Sequence, residues 1–300
     1  MIYTIYHSTR FFYQHEVGFS HNLIRLQPRN TSIQKVLNFD LTTKPVAAEI
    51  EPYDDFFGNH LHHLLVREPH TVLDVVAQSR VEINYDSLER HHESRSRAAS
   101  LTYAQILERM MFLTPEIIEA KQFSLKSPLL PIASMEILNY VLQSIKPERS
   151  LYEGIVEFIE RIFTDFAFVS GFSDLSTPVE TVFSEKKGVC QDFVHFALTA
   201  LRGIGVCARY MSGYIETIPP EGAEKLFGSD ASHAWFSVFF PGFGWFDFDP
   251  TNNMVPMDQH ILLGYGRDYS DISPMQGVVS GSGSSHLEVM VDVEREKSSS

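Results

Sequence analysis

Cys190, His233 and Asp249 supply a thiol, an imidazole and a carboxylate in that chain order. Thiol catalysis needs these three groups: a nucleophile, a base to take its proton, and a third group that holds the base in one tautomer. Cys190 follows Lys186-Lys187-Gly188-Val189 and opens an apolar run that reads as a helix. At a helix start, unpaired amides and the dipole favour negative charge, and the thiolate is the reactive form of cysteine. The same local context also describes a buried structural cysteine. Two later segments add the remaining groups: Ser232-His233-Ala234-Trp235 carries the base, and Trp245-Phe246-Asp247-Phe248-Asp249-Pro250-Thr251 carries two carboxylates. Asp247 and Asp249 share a strand face, so spacing leaves the choice between them open.

Other reactive side chains have simpler readings. His195 lies five residues beyond Cys190, about 140° around a helix, and is expected to pack or hydrogen-bond. Asp192 complements the helix N-terminus, and Cys207 belongs to a buried apolar strand. Trp235 and Trp245 read as core or cleft wall. His60, His62 and His63 lack the companion ligands of a recognised metal site, so no metal is expected. Neither G-x-G-x-x-G nor G-x-x-x-x-G-K occurs, and no phosphate cradle or cofactor is called for.

These residues must be positioned by a scaffold. Residues 1 to about 90 alternate β-branched and aromatic runs with turn signals, such as Ile2-Tyr3-Thr4-Ile5-Tyr6 and Val81-Glu82-Ile83, and predict an antiparallel β-sandwich. The polar run His91 to Arg97 reads as a linker. Helices follow, at Ser150-Leu151-Tyr152-Glu153 with its capping-box form, at Thr177-Pro178-Val179-Glu180, and from about Cys190 to Leu201. Strands then run from Val206 to Tyr214, Ala234 to Phe240 and Trp245 to Phe248, the last two joined by Pro241-Gly242-Phe243-Gly244. The fold class expected is α+β: an N-terminal β-sandwich with linker helices over 1–125, a catalytic domain over 126–292 and a disordered tail over 293–300. A hairpin symmetric about Gly242-Phe243 would set Asp249 opposite Phe236, ~10 Å from the level of His233, which calls for a bulge or register shift.

Gly188-Val189-Cys190-Gln191-Asp192-Phe193-Val194-His195, Arg209-Tyr210-Met211-Ser212-Gly213-Tyr214, His233-Ala234-Trp235 and Asp249-Pro250-Thr251 stand in one order. Together they resemble the bacterial transglutaminase-like superfamily, a papain-related group of thiol enzymes. Asp55-Phe56-Phe57-Gly58-Asn59 and Gly266-Arg267-Asp268-Tyr269-Ser270-Asp271 extend the resemblance over nearly the whole chain. It implies that Cys190 attacks a carboxamide carbonyl, His233 moves the proton and Asp249, just before Pro-Thr, orients the imidazole. The backbone amide of Cys190 offers one oxyanion donor; a second is not evident in Phe166-Ala167-Phe168-Val169-Ser170, where the chain departs from that pattern.

The function expected is therefore a cysteine protease, amide hydrolase or acyltransferase acting on protein or peptide carboxamides through a Cys190 thioester. The alternative is a non-catalytic partner-binding protein that keeps the fold. A formal charge of -14 would repel nucleic acid and anionic membrane surfaces. With no leader-like start, no apolar stretch of spanning length and only two cysteines, a cytoplasmic protein is expected.

Overall fold

A computed structural model describes residues 1–217, 231–281 and 283–296. Six strands occupy the first part: β1 (Ile2–Val17), β2 (Phe19–Ile24), β3 (Gln34–Lys44), β4 (Glu49–Asp54), β5 (His60–Val66) and β6 (His70–Ile83). Period-two burial defines them, with Tyr3, Ile5, His7 and Thr9 turned inward from β1 and Leu73, Val75, Ala77, Ser79, Val81 and Ile83 from β6. Helices come next: α1 (Tyr85–Ala98), α2 (Tyr103–Arg109), α3 (Pro115–Lys121), α4 (Met135–Val141) and α5 (Leu151–Asp165).

The rest of the chain runs β7 (Ala167–Phe168), α6 (Val179–Glu185), β8 (Lys187–Gly188), α7 (Cys190–Gly203), β9 (Ala208–Ile215), β10 (Ala231–Phe240), β11 (Gly244–Phe248), β12 (His260–Gly266), α8 (Tyr269–Ile272), β13 (Met275–Ser280) and β14 (Ser285–Arg295). Its sheet, in the order β11-β10-β9-β12, is antiparallel throughout. One face carries Ala208, Tyr210, Ala234, Phe236, Phe246 and Phe248, which pack with Phe193, Val194, Phe196 and Ala197 of α7 in the largest core. On α5 the Ser150 side chain accepts from the Glu153 amide, and Ile155, Phe158, Ile159 and Ile162 are buried, as the helical spacing predicts, whereas Phe163, expected on the same face, is exposed.

Two expectations need correction. The run His91 to Arg97 lies inside α1, capped by Asn84, whose side chain accepts from the Ser87 amide; Arg95 and Arg97 sit in its last turn, where cations suit the dipole. Its polarity is that of a largely solvated helix anchored by Leu88 and Ala98. The end of the chain, expected within the catalytic domain and a tail from 293, instead returns to the N-terminal sheets. β14 pairs with β1 (Ile5↔Val293, His7↔Val291) and β13 with β2 (Ile24↔Met275), giving sheets β14-β1-β6-β3 and β13-β2-β5-β4. β14 runs through 293–295; residues 297–300 of the expected tail lie outside the described residues. Local patterning cannot reveal a partner nearly three hundred positions away.

Between these two sheets lie Ile24, Leu26, Leu64, Val66, Leu73, Val75 and Ala77. A further cluster joins the sandwich to the α/β core: Tyr3, Ile5, Val81, Ile83, Val291 and Val293 pack on Tyr214, Ile261 and Leu263. At this joint His7 is buried, with Nδ1 3.0 Å from the Tyr214 hydroxyl and Nε2 2.9 Å from Thr9 Oγ1.

Burial pushes the His7 pKa down to about 4, below its ordinary 6.5. A depressed histidine stabilises the fold above its unfolded pKa, and that contribution, of order about 3 kcal/mol, fades as pH falls from about 6.5 towards 4. Acidification from pH 7 to 4.5 should lower the melting temperature of the native protein. His7→Gln should melt lower at neutral pH and show a shallower acid dependence; an unchanged slope would remove His7 from the acid response.

Candidate functional site

Cys190 is the first residue of α7, and that helix is held by its own third residue. Asp192 is buried, accepts from the Val189 amide at 2.7 Å and also accepts from the Ser173 hydroxyl. A Cβ on Gly188 would stand 2.7 Å from Asp192 Cβ, so the residue before Val189 must be glycine for the carboxylate to fold back. The helix start is thus fixed against the loop before it, as expected for Asp192.

His233 lies on β10 opposite Gly213 of β9. A side chain at 213 would meet the Trp235 ring at 2.7 Å and the Ile261 carbonyl at 2.0 Å, which accounts for the glycine of the Arg209-to-Tyr214 run. The His233 ring hydrogen-bonds to Asp249, Nε2 to Oδ2 at 2.7 Å, and the Cys190 side chain is near enough to favour its charged form. With Nε2 engaged by the carboxylate, Nδ1 is the nitrogen left for the thiol. The structure therefore brings all three sequence-predicted residues together.

Of the two routes expected for Asp249, a bulge or a register shift, the structure takes the register shift. Phe240 pairs with Gly244 and Phe236 with Phe248, so the turn is one residue longer than the symmetric hairpin assumed. That shift puts Asp249 in line with Trp235, on the same face as His233 and two residues from its level. The chain turns immediately after: Asp249 bridges Met254, and its Oδ1 accepts from the amides of Thr251 (2.9 Å) and Asn252 (3.2 Å). Asp247, the competing carboxylate, accepts from Trp235 Nε1 at 3.0 Å. Trp235 itself is core.

Sequence reasoning missed His260 and Asn252. Asn252 donates from Nδ2 to Asp249 Oδ2 at 2.8 Å, and His260 Nε2 lies 3.1 Å from the same oxygen. Asp249 is fully buried. Burial alone would raise its pKa, but hydrogen bonds from His233 and His260 hold it well below the usual carboxylate range. For His233, burial disfavours the charged form, yet the bond to Asp249 and the nearby Cys190 win and the pKa is raised to about 10. His260 goes the other way, its pKa lowered by burial despite Asp249, so it is a neutral donor through Nε2. Nothing local marks His260, which opens a strand eleven residues beyond Asp249; only tertiary placement gives it meaning.

The ligating atoms of His233, Asp249 and His260 lie within 4.8 Å of one another, a grouping that could hold a metal ion where the sequence suggested none. Both Nε2 atoms are within hydrogen-bond distance of Asp249 Oδ2, and protons satisfy that geometry. The histidines considered earlier are elsewhere: His60 pairs with Asp54 at 2.6 Å and His62 packs on Phe39. His195 is buried and accepts from the Tyr269 amide at 3.2 Å, its pKa pushed down to about 4 by burial, in keeping with a packing role. Cys207 is buried and its thiol pKa is pushed up to about 11, whereas Cys190 is partly exposed. Tyr210 and Tyr269 hold their hydroxyl pKa values high, chiefly through burial and in part through the nearby Cys190.

The core fold and this constellation are those of a transglutaminase-like protein. Residues 139–250 match the transglutaminase-like superfamily and residues 3–82 the bacterial transglutaminase-like N-terminal region. The chain belongs to that superfamily. An uncharacterized Mycobacterium tuberculosis protein, Rv2569c, is 34% identical over 304 residues, spanning 97% of this chain and 92% of its own. An uncharacterized Mycobacterium leprae protein, ML0607, is 28% identical over 291 residues, spanning 97% and 98%. A solved structure from Cytophaga hutchinsonii, described as a "Putative Cysteine Protease", superposes with a TM-score of 0.74 at 19% identity, over 98% of this chain and 90% of that one. It shares the fold. No helix among the described residues is long and apolar enough to cross a membrane.

Limited iodoacetamide near pH 6 should label Cys190 well before Cys207, read by peptide mapping; preferential labelling at Cys207 would reverse the assignment. Asp249→Asn removes the charge that raises His233, so imidazolium should be lost at lower pH and alkylation of Cys190 near pH 6 should slow at least about tenfold. Asp247→Asn should change that rate little. The reverse ranking, with both variants folded by thermal melting, would move the orienting role to Asp247.

Proposed function

We propose that the protein is a thiol acyl-transfer enzyme acting on carboxamides of proteins or peptides. The observation that carries this reading is one imidazole ring that bonds a fully buried Asp249 and has the Cys190 side chain close enough to act on its charge. Cys190 gives its proton to His233 and its sulfur attacks the amide carbon. Collapse of the tetrahedral intermediate breaks the C–N bond, and His233 returns the proton to the departing amine. A thioester is left, which water or a second amine resolves with His233 as base. No cofactor enters these steps. The backbone amide of Cys190 at the α7 start is one oxyanion donor; the neutral hydroxyls of Tyr210 and Tyr269, both within electrostatic reach of the thiol, are candidates for the second.

The test is product mass. The full-length protein is incubated with amide-containing peptides, with and without a primary amine, alongside Cys190→Ala. Peptide scission, or exchange of one NH for one oxygen, means hydrolysis; gain of the added amine's mass less that of the ammonia released means transfer. Either should vanish in Cys190→Ala. Thiol labelling that shows an intact Cys190–His233 pair, together with no product from a broad peptide set, would instead favour a protein that keeps the fold for partner binding.

A further inference from the structure

The arginine of the Arg209-to-Tyr214 run has no part in the chemistry above. Strand alternation turns Tyr210 into the α7 core and Arg209 to the opposite face, with Met211, Trp235 and Asp247. There Arg209 helps line a cavity of about 360 Å³ with Arg95 and His91 of α1, Gln34, Trp245 and Asp247. That volume falls in the range of small-molecule sites.

Arg209 is held in place but not satisfied. Its guanidinium lies between two rings, 4.3 Å from the centre of Trp245 and 3.8 Å from that of Tyr265. Nε is shielded from solvent and has no hydrogen-bond partner, and among the described residues no carboxylate bonds the group. Burial lowers its pKa to about 10, and Arg29, itself stacked 4.6 Å from the Tyr265 centre, adds positive charge. Arg29 is spoken for, donating to the Phe57 carbonyl at 2.7 Å and Asn59 Oδ1 at 2.9 Å. Arg95, partly exposed on α1, lines the same cavity.

Burying a cation without an acceptor is costly, and here acceptors are plentiful overall, 38 acidic residues against 24 basic. Yet Asp247 is the one carboxylate lining the cavity, and it holds Trp235. Beside Arg209, its cross-strand partner Ser237 buries a hydroxyl with no partner. Arg209 and Arg95 thus line a space whose walls also include the apolar Trp245, Phe243 and Met257.

We propose that this cavity binds a small organic acid, its carboxylate held by Arg209 and Arg95 and its apolar body by the surrounding side chains. Planar guanidinium groups suit a carboxylate, and the stacked rings keep Arg209 oriented before the ligand arrives. This inference is independent of whether Cys190 turns over an amide.

The experiment is calorimetric titration of the full-length protein at low ionic strength with phenylacetate, its uncharged counterpart 2-phenylethanol, and inorganic phosphate. Phenylacetate should bind and 2-phenylethanol should not. Arg95→Gln, on a partly exposed helix face, and Arg209→Gln should each weaken phenylacetate at least about tenfold; Arg67→Gln, whose exposed partner is Glu49, should not. Should Arg209→Gln fail to fold, Arg95→Gln alone decides. Equal binding of the charged and uncharged probes, wild-type affinity in Arg95→Gln, binding of phosphate without phenylacetate, or no heat from phenylacetate at about 10 mM would each overturn the proposal.

Discussion

The carboxylate of Asp249 is the constraint around which the candidate site is built. It is fully buried, and a buried charge survives only when every lone pair is answered. Here the backbone amides of Thr251 and Asn252 hold one oxygen, while Asn252, His233 and His260 converge on the other. Those donors come from β10, from the turn after β11 and from β12, so placing one charge fixes the ends of three strands. The cost of desolvation is offset by that network, and the network in turn sets the charge state of His233. Structure and candidate chemistry are the same set of bonds.

Much of this was legible in the sequence because its signals are local. A cysteine at a helix start, a histidine on an apolar strand and an acid before Pro-Thr each announce themselves within a few residues. The capped α5 and the hairpin β10–β11 were legible for the same reason, since burial period and turn residues are short-range. Choosing Asp249 over Asp247 was not decidable from spacing, because both lie on one face. It was the turn length, one residue more than the symmetric hairpin, that aligned Asp249 with His233 and left Asp247 for Trp235.

What stayed hidden was non-local. His260 carries no motif and matters only because β12 lies beside β9, with Gly213 leaving the Trp235 ring room between them. The strand identity of 285–295 was obscured by its partner: β14 exposes much of its length and buries residues mainly near its end, against β1. Likewise the charged run of α1 looked like a linker because a helix anchored by few apolar residues has nearly the composition of a loop.

The pairing of β14 with β1 also orders events during synthesis. Thr4 bonds Glu296 across 292 residues, and Tyr3 pairs with Arg295. On the ribosome, β1 and β6 can pair early, but the outer edge of β1 has no partner until β14, Ser285–Arg295, has emerged. Loop closure over such a distance is slow, and an open strand edge is a site for wrong pairing in the meantime. Because the same β14 residues, Val291 and Val293, pack against Ile261 and Leu263 of the β11-β10-β9-β12 sheet, the α/β core also waits for β14. Assembly of the joint therefore follows synthesis of the thiol: β14 begins 95 residues after Cys190 (Cys190 to Ser285), and over that interval a nascent chain carries its thiol without the completed joint behind it.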